Sequence, residues 1–291
     1  MTTPQPGILA PVPEHARYLA FSLRDPAALA LSLSALRQLA DGVLCVVGLG
    51  LPVASALGKT LPGLRPPLLQ SAPGLPIEAA PAALWLWLRG TERGELLHRS
   101  RRLTQALAPA FSLDECWDAF KYQEGRDLSG YVDGTENPTD DDAVHAAIVA
   151  DGELAGSSFV AVQRWRHDFA RCEAMPQGER DHAIGRRQSD NEELDDAPES
   201  AHVKRTAQES FSPEAFVLRR SMPWAQGLEG GLMFTAFGAS FDAFEAQLQR
   251  MTGKEDGIID GLFAFTRPVS GANYWCPALS DSRLNLSPLS I

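Results

Sequence analysis

Two stretches of this chain run through the same order of elements, and that repetition constrains the fold more than any single segment does. In the first, residues 17–23 alternate and carry aromatics as a strand does. Asp25 then caps a predicted helix with Pro26 at its first position; Leu29, Leu33, Leu36 and Ala40 share one face of it, and Gly42 marks its end. Residues 43–49 read as a second strand, 84–88 (Leu-Trp-Leu-Trp-Leu) as a third, and 111–122 as containing a fourth. Between the last two, a helix over 92–107 places Leu96, Ser100, Leu103 and Leu107 on one face and exposes Arg93, Arg99, Arg101 and Arg102. From Gly50 to Ala82 prolines recur too often for regular structure, which predicts a long irregular excursion.

The second stretch repeats the plan. Residues 158–165 form a predicted strand leading to a helical stretch, 215–219 and 231–237 are strands, and Ser240 caps a helix whose Phe241, Phe244, Leu248 and Met251 share a face. A final strand lies near 271–275. Strand, helix, strands, helix, strand is the order of a ferredoxin-like unit, so the expected class is α+β with an internal duplication.

Bulk properties narrow the function. A chain of 291 residues with 44% hydrophobic content can bury one large core or two fused smaller ones. A formal charge of −11 argues against nucleic acid and anionic membrane surfaces, both of which need a cationic face. Cys45, Cys116, Cys172 and Cys276 are widely spaced with no Cys-x-x-Cys pair, which excludes a zinc ribbon and a covalent c-type haem attachment; they read as small buried apolar residues. Residues 1–13 carry no basic residue and no apolar run, and no stretch approaches the roughly 20 apolar residues of a membrane helix. A reduced, cytoplasmic protein is expected.

Between the two stretches, residues 124–138 concentrate breakers and carboxylates. Their middle, Gly130 to Gly134, reads Gly-x-x-Asp-Gly. Gly125, Gly130 and Gly134 can take positive φ and let backbone approach a flat ligand, and Pro138 stops any helix before it begins, so Asp133 is held on a tight loop. Gly-x-x-Asp-Gly alone marks a turn. A calcium loop is excluded: Asp133, Thr135 and Asn137 alternate as in an EF-hand, but Pro138 and Val144 stand where glycine and glutamate are needed. Farther on, residues 179–199 carry eight acids against Arg180, Arg186 and Arg187, the composition of a solvated loop.

The longer segment, Gly-Arg-Asp-Leu-x-Gly-x-Val-Asp-Gly-Thr-Glu-Asn-Pro, resembles the signature of the dye-decolorizing peroxidases, haem enzymes whose Gly-x-x-Asp-Gly aspartate stands over the distal face of the iron. The likeness extends along nearly the whole chain, from 4–9 and 15–19 through 195–203 to 218–223 and 265–271, and the compact length resembles the type B branch. It implies duplicated ferredoxin-like halves of the dimeric α/β-barrel type, 1–138 and 139–291, with haem in the C-terminal half. It also implies a haem b peroxidase that reduces hydrogen peroxide through a ferryl intermediate and oxidises dyes or phenolic compounds by one-electron steps. The alternative is a haem-handling protein with little turnover. Relatives associate, so a homo-oligomer is expected; residues 282–291 are short and do not read as a tail for packing into an encapsulin shell.

The residues alone leave the axial ligand open. His98 lies on the arginine-rich helix and His15 among polar neighbours, but composition does not separate His145, His167, His182 and His202. The resemblance assigns His202, in Ala-Pro-x-x-x-His-Val, as the proximal iron ligand and Asp260 as the acid behind it, with Asp256 four residues away as a rival. Asp133 matches the distal carboxylate that moves a proton between the peroxide oxygens, and Arg219 the distal guanidinium that stabilises their developing charge. Arg220 is the rival for Arg219, since one register slip exchanges them. Ser221, expected at the cofactor, stands where some type B relatives carry asparagine. Gly134, Thr135 and Glu136 are expected at the cofactor, and Arg186 is either a propionate partner or a surface ion pair. Tyr131, Trp165, Trp224, Tyr274 and Trp275 are either electron relays or ordinary core.

Overall fold

The computed structural model describes residues 2–69, 77–80 and 82–291. A short turn α1 (Pro6–Leu9) leads into β1 (His15–Leu23), α2 (Leu29–Leu39), β2 (Cys45–Leu49), α3 (Leu51–Ala56), β3 (Glu78–Ala79), β4 (Leu84–Gly90), α4 (Arg93–Leu107) and β5 (Phe111–Phe120). Then come α5 (Asp140–Ala147), β6 (Ser158–His167), α6 (Phe169–Ala174), α7 (Gln177–Ile184), α8 (His202–Arg205), β7 (Leu218–Arg219), β8 (Met222–Gln226), β9 (Glu229–Gly238), α9 (Asp242–Met251) and β10 (Thr266–Cys276).

The strands run β2-β4-β1-β5-β8-β9-β6-β10, and a β2–β10 contact closes the sheet into a barrel. The order β2-β4-β1-β5 in the first stretch is matched by β8-β9-β6-β10 in the second. The two seams between these blocks are narrow. One is the single pair Ala119↔Trp224, the other Trp275↔Leu49. Gln5 staples the second: its fully buried amide bonds both backbone groups of Val47 and the Pro277 carbonyl at 2.8–3.0 Å.

Alternation along β4 explains why a barrel forms. Trp85 and Trp87 face inward with Tyr18, Phe237 and Tyr274, whereas Leu84, Leu86 and Leu88 face outward onto the helices with Leu33, Leu36, Leu96 and Leu103. Both faces of the strand are therefore buried, as a closed sheet jacketed by helices requires. The helix faces expected from spacing in α2 and α4 are the buried ones.

Several expectations change. The excursion predicted from Gly50 to Ala82 contains α3 and β3, with Pro52 inside the first turn of α3, where its missing N–H costs nothing; residues 70–76 and 81 lie outside the described residues. The 179–199 stretch begins inside α7, a helix that buries only Ala183 and Ile184 and so shows no apolar stripe, before Gly185 ends it at φ +94°. Helix α5 buries only Ala143 and Ala147 and starts on Asp140, Asp141 and Asp142, which favour a helix N-terminus. Strand β8 was masked by Pro223. Of the cysteines, Cys45, Cys172 and Cys276 are buried but Cys116 is exposed, because β5 leaves Leu113, Asp114 and Cys116 to solvent.

Candidate active site

The loop at 124–138 is shaped by its glycines and by bonds to the segment beyond α7. Gly125, Gly130 and Gly134 all take positive φ. At Gly130 the φ of +90° favours glycine, and an added Cβ would also lie 2.3 Å from the Gln188 side-chain nitrogen, which would have to move. Arg126 threads under the turn, donating to the carbonyls of Gly130 (2.7 Å) and Gln188 (3.0 Å), while the Asp133 N–H donates to the Gly125 carbonyl at 3.0 Å.

Asn137 then ties this loop to β7. Its side-chain oxygen accepts the Arg219 N–H and its amide donates to the Arg219 carbonyl, both at 2.8 Å. The clasp holds the Arg219 guanidinium 3.6 Å from the Asp133 carboxylate, too far for a hydrogen bond, so each keeps its polar atoms for something else. Arg220 points away, donating to the carbonyls of Ile8 and Leu9. The loop motif by itself gives Asn137 no role at β7; Asn-Pro at the end of a glycine-rich loop is the sequence signal for it.

Asp133 and Arg219 line a cleft that opens to solvent. Its walls are largely apolar, with Trp165, Ile184, Phe234, Phe244, Leu248 and Met251 among them, and a more polar compartment bounded by Gly134, Thr135, Glu136 and Arg186 continues from it. His202, at the first position of α8, lines both spaces. Its Nδ1 lies 2.8 Å from Asp260 Oδ2. Asp260 is almost fully buried, and its other oxygen accepts the Leu262 N–H at 2.8 Å, so the carboxylate is fixed by the turn it caps. The rival Asp256 is occupied by a bidentate pair with Arg205 at 2.7 and 2.8 Å. Nε2 of His202 makes no hydrogen bond among the described residues.

His167, one of the four histidines that composition leaves open as axial ligand, belongs to a second imidazole–carboxylate pair in the same wall. His167 Nε2 meets Asp127 Oδ1 at 2.9 Å and Nδ1 meets Thr266 Oγ1 at 2.7 Å. Burial alone would raise the Asp127 carboxyl, but the charge and hydrogen bond of His167, with two bonds from Ser129, hold it below the usual carboxylate range. Beside it the buried Tyr131 hydroxyl donates to Asp181 at 2.6 Å. His145 and His182 do not line the cleft, His182 lying 3.5 Å from Asp196 at the surface.

The other sequence-selected residues are distributed unevenly. Arg186 donates to Glu136 (2.8 Å) and Glu193 (3.0 Å), so two carboxylates already hold it at the edge of the polar compartment. Thr135 accepts from the Asn191 amide at 3.0 Å. Ser221 is buried, its hydroxyl accepting the Thr235 N–H at 3.2 Å, and does not line the cleft. Tyr131 and Trp165 line the cleft, whereas Trp224, Tyr274 and Trp275 lie in the hydrophobic cores.

Residues 124–281 match the family model "Dyp-type peroxidase, C-terminal". A dye-decolorizing peroxidase of Rhodococcus erythropolis is 32% identical over 94% of this chain and 86% of its own length. This chain belongs to the dye-decolorizing peroxidase family. As a peroxidase of type B-like character, it is an oxidoreductase. A dyp-type peroxidase protein from Shewanella oneidensis superposes with a TM-score of 0.89 at 27% identity, covering 99% of this chain and 98% of that one. A variant of DypB from Rhodococcus jostii RHA1, solved in complex with heme, gives 0.83 at 26% identity, covering 93% and 94%.

The residues of this peroxidase fit the macrocycle that such a complex holds. Among the described residues no group of three or more His, Cys, Asp or Glu could cage a bare ion, so one free imidazole nitrogen suits an iron whose other donors come from a porphyrin. The apolar walls suit a flat hydrophobic ring.

Proposed function

We propose that this peroxidase binds haem b through His202, reduces hydrogen peroxide with Asp133 and Arg219, and oxidises dyes or phenolic compounds by one-electron steps. The observation that carries the reading is the free Nε2 of His202 in an apolar cleft shared with Asp133 and Arg219. Haem, when bound, supplies the iron and the redox equivalents.

The chain's own groups do the rest. Asp260 accepts the Nδ1–H of His202, which sets the tautomer, leaves the Nε2 lone pair for the metal and makes the ring a stronger donor. The Asp133 carboxylate takes a proton from peroxide and returns it to the departing oxygen. Arg219 stays charged throughout and donates to the oxygen on which negative charge builds, with its backbone fixed by Asn137. The apolar walls lower the local dielectric and strengthen both interactions.

We also infer two ferredoxin-like halves, 1–138 and 139–291, with haem held by the second. The matching strand orders and the two narrow seams support that division, as does the origin of His202, Arg219 and Asp260 in the second half.

Stopped-flow mixing of the haem-loaded protein with one equivalent of peroxide tests the reading. The ferric Soret band should give way to an oxidised spectrum that a phenolic donor returns to ferric. A spectrum that stays ferric or simply bleaches would mark a haem carrier.

A further inference from the structure

A second groove lies behind the cleft wall, and its charge runs against that of the molecule. His167 and Thr266 line both spaces. The chain carries a net −11, yet Arg166, Arg171 and Arg267 converge on this groove. Arg166 on β6 and Arg267 on β10 are direct cross-strand partners, which sets two like charges on one face of the sheet at a cost in stability.

The protein offsets this charge only weakly. Glu229 approaches Arg166 no closer than 3.9 Å, with both side chains well exposed. Asp168 commits one carboxylate oxygen to the Arg171 N–H at 3.0 Å. Among the described residues, no carboxylate forms a salt bridge with Arg171 or Arg267. Beside the arginines the groove also presents apolar groups. Leu228, on the β8–β9 turn, is 98% exposed, and Phe263 stacks on Trp165 with ring centroids 5.6 Å apart. Trp165 lines the cleft on its other side.

We propose that this groove docks an anionic aromatic electron donor, its sulfonate or carboxylate held by the Arg166–Arg267 pair and Arg171, and its ring laid against Phe263 and Leu228. Planar guanidiniums match such oxyanions with paired hydrogen bonds, and a bound anion relieves the cross-strand repulsion. The proposal rests on the peroxidase reading for its redox step. A bound phenolic donor loses one electron, and its hydroxyl proton goes to solvent. The electron crosses the Phe263–Trp165 stack to the peroxide-oxidised cofactor. Two donors supply the two electrons that, with two protons, turn one peroxide into two waters.

Binding is measured without peroxide, so that a failed peroxidase reading leaves it intact. An anthraquinone sulfonate is titrated calorimetrically into the haem-loaded protein, an Arg166→Gln/Arg267→Gln double variant, an Arg171→Gln variant, and an Arg37→Gln control that removes one charge from α2. Loss of charge-assisted bonds should weaken the double variant roughly tenfold or more, with a smaller loss for Arg171→Gln and none for the control. An uncharged anthraquinone should not distinguish the four proteins. In turnover, the double variant should raise KM for the sulfonate with kcat kept, and Trp165→Phe should lower kcat with sulfonate binding kept. Equal sulfonate binding by all four proteins, or an equal loss in the Arg37→Gln control, would overturn the docking site. Unchanged kcat in Trp165→Phe would overturn the electron path.

Discussion

Two imidazole–carboxylate pairs line one cleft, and they are wired differently. In the His202–Asp260 pair the carboxylate takes one ring nitrogen and the other makes no bond among the described residues; in the His167–Asp127 pair Thr266 takes the second nitrogen as well. Asp260 is fixed by capping a turn, Asp127 by two bonds from Ser129. A buried His–Asp pair therefore does not by itself mark a metal ligand. The ligand role proposed for His202 rests on its spare nitrogen, whereas the saturated pair braces the wall.

The largest expected effect separates the two rings outright. His202→Ala should lower haem affinity by at least the roughly 10–100-fold that loss of an outer-sphere partner alone costs. His167→Ala should keep imidazole-ligated haem. Haem titration followed at the Soret band checks both, and an inverted outcome would transfer the ligand role to His167.

Next come the distal groups. Arg219→Leu should slow the peroxide step about a thousandfold, because nothing small replaces a held guanidinium. Asp133→Asn should slow it about a hundredfold and mainly reshape the pH profile, since water in the vacated site can relay a proton. Stopped-flow rates across pH decide the ranking, and a larger loss for Asp133→Asn reverses it. Arg220→Leu, by contrast, leaves the Ile8 and Leu9 carbonyls unpaired and should cost about 1–3 kcal/mol of stability with little change in rate.

The bracing pair should show itself in stability. The Asp127 carboxyl is depressed in the folded protein, so its contribution is present above the ordinary carboxylate pKa of roughly 3.9 and fades as pH falls through the folded value. Asp127→Asn should lose about 1–3 kcal/mol at neutral pH and progressively less toward acid. Thermal melts at neutral and strongly acid pH check the sign; a deficit that grows on acidification would contradict it.

What could be read from the chain follows from how local its cause is. The alternation 84–88 and the leucine spacing of α2 and α4 carry their own burial pattern, so these elements were legible. Helices α5 and α7 bury two residues each and leave no periodic trace. At the site, a glycine-rich loop that must hold Asp133 is visible in its residue types. The Asn137 clasp and the Asp127–His167–Thr266 chain join residues up to 99 positions apart, and no spacing reports them. Sequence spacing likewise left Asp256 beside Asp260 as a rival; Arg205, by taking Asp256, separates them.

The difference between the two pairs is tested most directly by resonance Raman spectroscopy of the ferrous haem-loaded protein, comparing the iron–imidazole stretch in the native chain, Asp260→Asn and Asp127→Asn. If His202 is the ligand and Asp260 strengthens its donation, Asp260→Asn lowers the stretching frequency and Asp127→Asn leaves it in place. A shift in Asp127→Asn with none in Asp260→Asn would contradict the account.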